Sequence, residues 1–207
     1  MEGISLRRAN KEDSSLILDF IKKIATYEKM LDTVKTTVSD IEFAIFERKI
    51  GNVIFLIKDN KEIGFALYFY NFSTFTGKCG IHLEDFYVDE EYRHQGLGTI
   101  LFKEVVKVAK EENCPRLEWT CLNWNEPSIR FYKSIGAKPL DEWITFRLVY
   151  EDYDFALNKW KYWLHRYFKD IIFSKNYLIY KYSKCIYQNK KTSAASLFKI
   201  YFTRLNA

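Results

Sequence analysis

Two glycines set two residues apart carry the clearest chemical signal in this sequence. They sit in Tyr92-Arg93-His94-Gln95-Gly96-Leu97-Gly98-Thr99, between a run of strand character and a run of helical character. Glycines at that spacing let successive main-chain N–H groups turn inward, and the following helix adds the positive end of its dipole. Such a segment can cradle a pyrophosphate. Two familiar phosphate loops do not fit: a Rossmann fingerprint needs a third glycine where Leu101 stands, and a P-loop needs Gly-Lys-Ser/Thr, which occurs nowhere in the chain. A strand-to-helix turn that merely tolerates two glycines is the alternative reading of the segment taken alone.

The elements that must hold this loop are legible from periodicity. Residues 3–9 alternate as a strand, and Asn10 then offers an N-cap for a helix whose apolar positions are Leu16, Ile17, Phe20, Ile24 and Tyr27, running to about Met30. A second helix is expected after Ser39. Asn52–Lys58 and Glu62–Phe72 read as strands joined by a hairpin turn at Asp59-Asn60-Lys61, and Gly80–Val88 as a third. Thr99–Glu112 is expected to be a helix and Arg116–Leu122 a strand. Glu126–Ile135 is expected to be a short helix stopped by Gly136, and Glu142–Tyr150 a last strand. The order predicts a mixed α/β layer on a largely antiparallel start. Strict alternation puts Glu84 and Phe86 on one face and Asp85 and Tyr87 on the other, unless a bulge intervenes.

Arg93-x-x-Gly96-x-Gly98 after an apolar strand resembles the signature of the GCN5-related N-acetyltransferase (GNAT) superfamily. Leu83-Glu84-Asp85-Phe86-Tyr87-Val88 ahead of it, and Trp124-Asn125-Glu126-Pro127-Ser128-Ile129-Arg130-Phe131-Tyr132 with Gly136-Ala137 behind it, are similar to the diamine (spermidine/spermine) acetyltransferase branch. Tyr27-Glu28 is similar to it as well. The likeness covers roughly residues 3–150. It implies an α/β acyl-CoA N-acyltransferase fold with splayed central strands and acetyl-CoA as co-substrate. Phe86, Tyr87 and Val88 would hold the pantetheine arm like an added strand. Arg93, His94, Gln95, Gly96, Leu97, Gly98 and Thr99 would form the pyrophosphate cradle, and Asn125, Pro127 and Ser128 would meet the cofactor at the short helix. Asn125 also has a purely structural reading, as a helix N-cap.

The reaction so implied is direct attack of a neutral amine on a thioester. Glu84 would accept the amine proton, directly or through water, and Tyr132 would protonate the leaving thiolate. Tyr27, Glu28, Glu84 and Glu142 would surround the acceptor, a primary amine of a small polycation such as a polyamine or diamine. Residues 141–147 depart from the animal members of the branch, and related enzymes acetylate thialysine-like amino acids, so an aminoalkyl amino acid is the alternative acceptor. A non-catalytic acyl-CoA-binding protein is a further rival. Members of the branch pair and share residues across the interface, which implies a homodimer.

Composition narrows the remaining choices. Of 207 residues, 48% are hydrophobic and 29% charged, as in a soluble globular protein, and there is no signal-peptide pattern and no run of apolar residues long enough to span a bilayer. Cys79, Cys114, Cys121 and Cys185 show no CxxC spacing, and His82, His94 and His165 share no ligand spacing with them. Free thiols in a reducing cytoplasmic compartment and no metal are therefore expected. The net charge of +5 divides into about −5 over residues 1–155 and +10 beyond. The sequence thus predicts an acetyltransferase domain over 1–152 and a basic, aromatic-rich extension over 153–207. A passenger or packing role suits that extension better than binding to nucleic acid or an anionic surface.

Overall fold

Val53, Ile54, Phe55 and Leu56 are four consecutive buried apolar residues, an arrangement a strand sustains only when both of its faces are covered. The computed structural model, which describes residues 3–159, shows that cover. The chain divides into two units, Met1–Lys138 and Pro139–Ala207. In the first, strand β1 (Ile4–Arg8) is followed by helix α1 (Ser14–Tyr27) and helix α2 (Val38–Ile41), which continues as a π-helical stretch over Glu42–Glu47. Strands β2 (Asn52–Lys58), β3 (Lys61–Ser73) and β4 (Lys78–Val88) follow, then α3 (Leu97–Glu111), β5 (Leu117–Trp119) and α4 (Glu126–Ser134).

The five strands form one sheet in the order β1-β2-β3-β4-β5, antiparallel throughout except for the parallel pair β4–β5. Val53, Phe55 and Phe65 pack on Ile17, Leu18 and Phe20 of α1 and Ile41 of α2. Ile54, Leu56, Ala66, Tyr68, Ile81 and Leu83 pack on Leu97, Leu101, Phe102, Val105 and Val108 of α3. The β2–β3 hairpin turns at Asp59 and Asn60, both at positive φ (50° and 64°), as a type I′ turn requires.

Two local features shape the region around β4. Leu67 pairs with Asp85 and Tyr68 with Leu83, so Glu84 is an extra residue on β4, a β-bulge. Gly64 of β3 faces Val88, and a Cβ there would lie 2.7 Å from the Tyr87 carbonyl oxygen. Backbone cannot yield as a side chain would. Gly64→Val is therefore expected to lower the unfolding free energy by about 2–3 kcal/mol, read from the urea midpoint at unchanged m-value.

The second unit is described to residue 159. It contains a 3-10 turn, Tyr150–Asp152, and helical residues 153–159. The strand expected at Glu142–Tyr150 does not form: alternation supplies two side-chain faces, but among the described residues of this unit there is no other strand to exchange main-chain hydrogen bonds. Trp143, Ile144 and Phe146 are exposed. Trp160, Trp163, Leu164 and Tyr167, which could make one helical face, lie outside the described residues. Among the described residues no helix is long and apolar enough to cross a membrane, and no cluster of His, Cys, Asp and Glu has metal-binding geometry.

Candidate active site

β4 and β5 pair over three residues only, Ile81–Leu83 against Leu117–Trp119. Beyond that point β5 ends, while β4 runs on to Val88 with no strand on its β5 side among the described residues. The opening is the mouth of a cavity of about 570 Å³, within the range of small-molecule sites. Phe86, Tyr87 and Val88 form its β4 wall, Trp119 to Leu122 the opposite wall, and Asn125, Pro127, Ser128, Phe131 and Tyr132 of α4 and its approach close it.

Part of the cavity lining leaves main-chain amides free among the described residues. His94 and Gly96 adopt positive φ (60° and 78°) as the chain bends into α3. The Arg93 N–H donates to the Glu90 carbonyl at 3.1 Å and the Ile100 N–H to that of Gly96 at 3.3 Å. The six main-chain N–H groups between them, residues 94–99, have no hydrogen-bond partner among the described residues. His94, Gly96, Gly98 and Thr99 line the cavity. Gln95 and Leu97 do not. The Gln95 amide turns back to the Glu91 carbonyl at 3.0 Å and Leu97 is buried beneath α3, so these two can offer a ligand only their main-chain N–H. Arg93 lines the wall, but its side chain is already engaged: Nε donates to the Val88 carbonyl at 2.8 Å, and the guanidinium lies over the rings of Tyr27 (4.8 Å) and Tyr87 (5.2 Å). It braces the cradle as cation–π contacts allow.

The same cavity also carries carboxylates. α1 stops at Tyr27, and its C-terminus delivers Tyr27 and Glu28 to the cavity, where Glu84 also lies. The Tyr27 hydroxyl donates to Asn125 Oδ1 at 2.9 Å, and the same oxygen accepts the Ser128 N–H at 3.4 Å. Asn125 therefore is an N-cap and also ties α4 to α1 in the cavity wall, with 7% of its surface exposed. Glu142 lies in the second unit, exposed.

Past the bulge the faces follow alternation: Tyr87 packs on the α1 side, Asp85 faces Leu67 of that same cluster, and Phe86 and Val88 lie on the α3 side; the bulge at Glu84 is what lets Leu83 share that side with them. Glu84 stays solvent-accessible, 3.6 Å from His82 Nε2. Asp85, passed over in the sequence in favour of Glu84, is the more perturbed acid. Burial, then the nearby Glu84 and Glu28 carboxylates, push it up to about 7. Burial also raises Glu28. Tyr132 is held among Trp119 (4.9 Å), Phe131 (5.4 Å) and Phe102 (6.3 Å), and burial, with Cys121 and Glu28 adding, pushes its phenol above the ordinary range. Trp119 and Cys121 were not foreseen as site residues; they flank the end of a strand shorter than its sequence suggested.

Asp85 has a measurable consequence. Its unfolded-state value is about 3.9, so between there and about 7 the folded chain binds more protons, and stability falls as pH rises across that window. Above pH 7 the full deficit remains, on the order of 2–4 kcal/mol before water access is allowed for. Asp85→Asn is expected to raise the unfolding free energy at pH 8 by about 1–3 kcal/mol, since the unpaired amide has a smaller burial cost than the charge. The gain at pH 5 should be clearly smaller, and urea titrations at the two pH values read the difference.

Comparison with known proteins agrees with this geometry. The sequence model described as the acetyltransferase (GNAT) family matches residues 22–137. A thialysine N-epsilon-acetyltransferase of Sus scrofa is 33% identical over 159 residues, 71% of this chain and 93% of that protein. A spermidine/spermine N(1)-acetyltransferase-like protein of Homo sapiens is 31% identical over 73% of this chain and 23% of its own length. Among solved structures, an integron cassette protein from the V. cholerae mobile metagenome superposes with a TM-score of 0.61 at 27% identity, covering 72% of this chain and 94% of that one. A probable acetyltransferase at 23% identity gives 0.60 over 70% of this chain and 97% of its own, which bears on the fold alone. With more than half of its length matched by that model, and relatives above 30% identity aligned over nearly their whole length, the chain belongs to the GNAT family and is an acetyltransferase.

Proposed function

We propose that this enzyme moves an acetyl group from acetyl-CoA to a primary amine of a small polycation, a polyamine or diamine. The observation that carries the reading is the double character of one cavity: six main-chain amides without a partner among the described residues, and the carboxylates Glu28 and Glu84 on the same lining. An anionic diphosphate suits the amides and a cationic amine the carboxylates, with the acyl group between them. Acetyl-CoA, the co-substrate of the family, supplies the activated acetyl group. Main-chain atoms of Phe86, Tyr87 and Val88 hold its arm along the free side of β4.

A protonated amine has no lone pair, so Glu84 accepts its proton directly or through a water, and the exposed side of that carboxylate passes it to solvent. The Tyr132 hydroxyl donates to the departing sulfur. Tyr27 and Glu28 position the acceptor. The enzyme acts as a homodimer.

A second reading, in which the acceptor is thialysine or another aminoalkyl amino acid, is favoured by the relatives of that name that align over 93% of their length. A substrate panel separates the two. With acetyl-CoA fixed and released thiol followed, kcat/KM for spermidine or putrescine is expected to exceed that for thialysine at least tenfold. The reverse order assigns the amino acid, and no turnover of any amine removes both.

A further inference from the structure

Cys79 and Cys114 bring their sulfurs to 3.1 Å, although 35 residues separate them in the chain. Cys79 is the second residue of β4, held in the antiparallel ladder opposite Phe72. Cys114 sits in the connection from α3 to β5, its N–H donating to the Ala109 carbonyl at 2.8 Å. Two residues on from each, the Ile81 N–H donates to the Arg116 carbonyl at 3.1 Å, so the two backbones enter the parallel β4–β5 pair already in register. Between them, at Gly80, the strand presses on the Arg116 side chain, where a Cβ would lie 2.7 Å from Cγ. Both thiols are half-buried and unbonded, open to a small reagent. A disulfide needs the sulfurs at about 2.05 Å, about 1 Å closer than they stand.

We infer that Cys79 and Cys114 are a redox couple, a dithiol that closes to an intramolecular disulfide at the closed end of the β4–β5 opening when it meets a low-molecular-weight disulfide. The ring so formed encloses β4, the glycine cradle and α3, the segment that builds the amide-bearing part of the cavity lining. This inference is independent of which amine the enzyme acetylates.

The two cysteines take different parts. Burial and the adjacent Cys79 sulfur push the Cys114 thiol up to about 11, so it remains protonated while Cys79 reacts first. The Cys79 thiolate attacks one sulfur of the reagent, forming a mixed disulfide and expelling one thiolate. With Cys79 capped, the part of that rise due to the Cys79 sulfur is gone and the larger part due to burial remains. Cys114 then loses its proton and attacks the Cys79 sulfur, forming the protein disulfide and expelling the second thiolate. Two protein thiols are oxidised, and one reagent disulfide is reduced to two thiols.

The test equilibrates the full chain with oxidised glutathione, traps free thiols with an alkylating reagent and maps peptides without reduction. The expected result is one cross-linked pair, Cys79 with Cys114, two hydrogens lighter than the dithiol and restored by dithiothreitol. The cross-linked form is expected to melt about 5–10 °C higher, as closing a loop of this length implies. In Cys114→Ser, glutathione is expected to accumulate on Cys79. Wild-type mapping decides the matter even if that variant folds poorly. Glutathione retained on either wild-type cysteine, a cross-link involving Cys121, Cys185 or a second chain, or two thiols still free after equilibration would each overturn the inference.

Discussion

Tyr132→Phe is expected to slow acyl transfer about a hundredfold or more while leaving the dissociation constant for coenzyme A within about threefold. The substitution removes one oxygen and keeps the ring, and the ring is what Trp119, Phe131 and Phe102 touch. The fold and cavity walls therefore persist. The missing group is a hydroxyl whose ionisation burial has made harder, so in the working pH range it is a donor and never a base. A departing thiolate needs a proton; burial keeps the phenol protonated but makes it a weaker acid than a free tyrosine, so its donation depends on the thiolate charge forming against it. Single-turnover rates with acetyl-CoA and the best acceptor, beside calorimetry of coenzyme A binding, separate the chemical step from binding. A rate constant within threefold of wild type would assign Tyr132 to packing and leave the thiolate to solvent.

Tyr132 was readable from its place in a run of nine residues, whereas its surroundings were not. Trp119, Phe102 and Tyr132 meet only because β5 stops after three residues and α4 folds back across it. Asp85 makes the same point more sharply. Alternation set it with Tyr87, where the structure has it, and allowed for a bulge without locating one. The bulge is set by the pairing of β4 with Leu67 and Tyr68 on β3, a non-local match that alternation along β4 cannot reveal. Its proximity to Glu28 depends in turn on where α1 ends. The hairpin turn at Asp59-Asn60, the amphipathic face of α3 and the stop at Gly136 were all legible because each is written in adjacent residues. The strand expected at Glu142–Tyr150 had the right alternation and no neighbour to pair with, which a one-dimensional pattern does not report. The motif placed Arg93 in the cradle; in the structure it lines the cavity and its guanidinium is committed to Tyr27, Tyr87 and the Val88 carbonyl, a brace that no motif spells out.

The cradle itself carries the second large effect. Gly96 is at φ 78° with nothing within 4 Å of where a Cβ would stand, so space is not what requires glycine there; the left-handed backbone is. Valine at that φ costs about 1–2 kcal/mol or more, and a short loop can shed that cost by rotating the peptides on either side. Rotation would turn the N–H groups of residues 94–99 out of convergence, and those groups are what hold the diphosphate in this reading. Gly96→Val is therefore expected to weaken coenzyme A binding at least thirtyfold, with a modest loss of stability. Gly96→Asn provides the control, because asparagine tolerates the left-handed region; the loop already keeps one side chain there, His94 at φ 60°. It should bind within about fivefold of wild type. Calorimetric titration of both variants reads the contrast directly. If valine and asparagine weaken binding equally, the lost space matters and the backbone conformation does not; if neither weakens it, the diphosphate is gripped elsewhere and the unpartnered amides are only a bend.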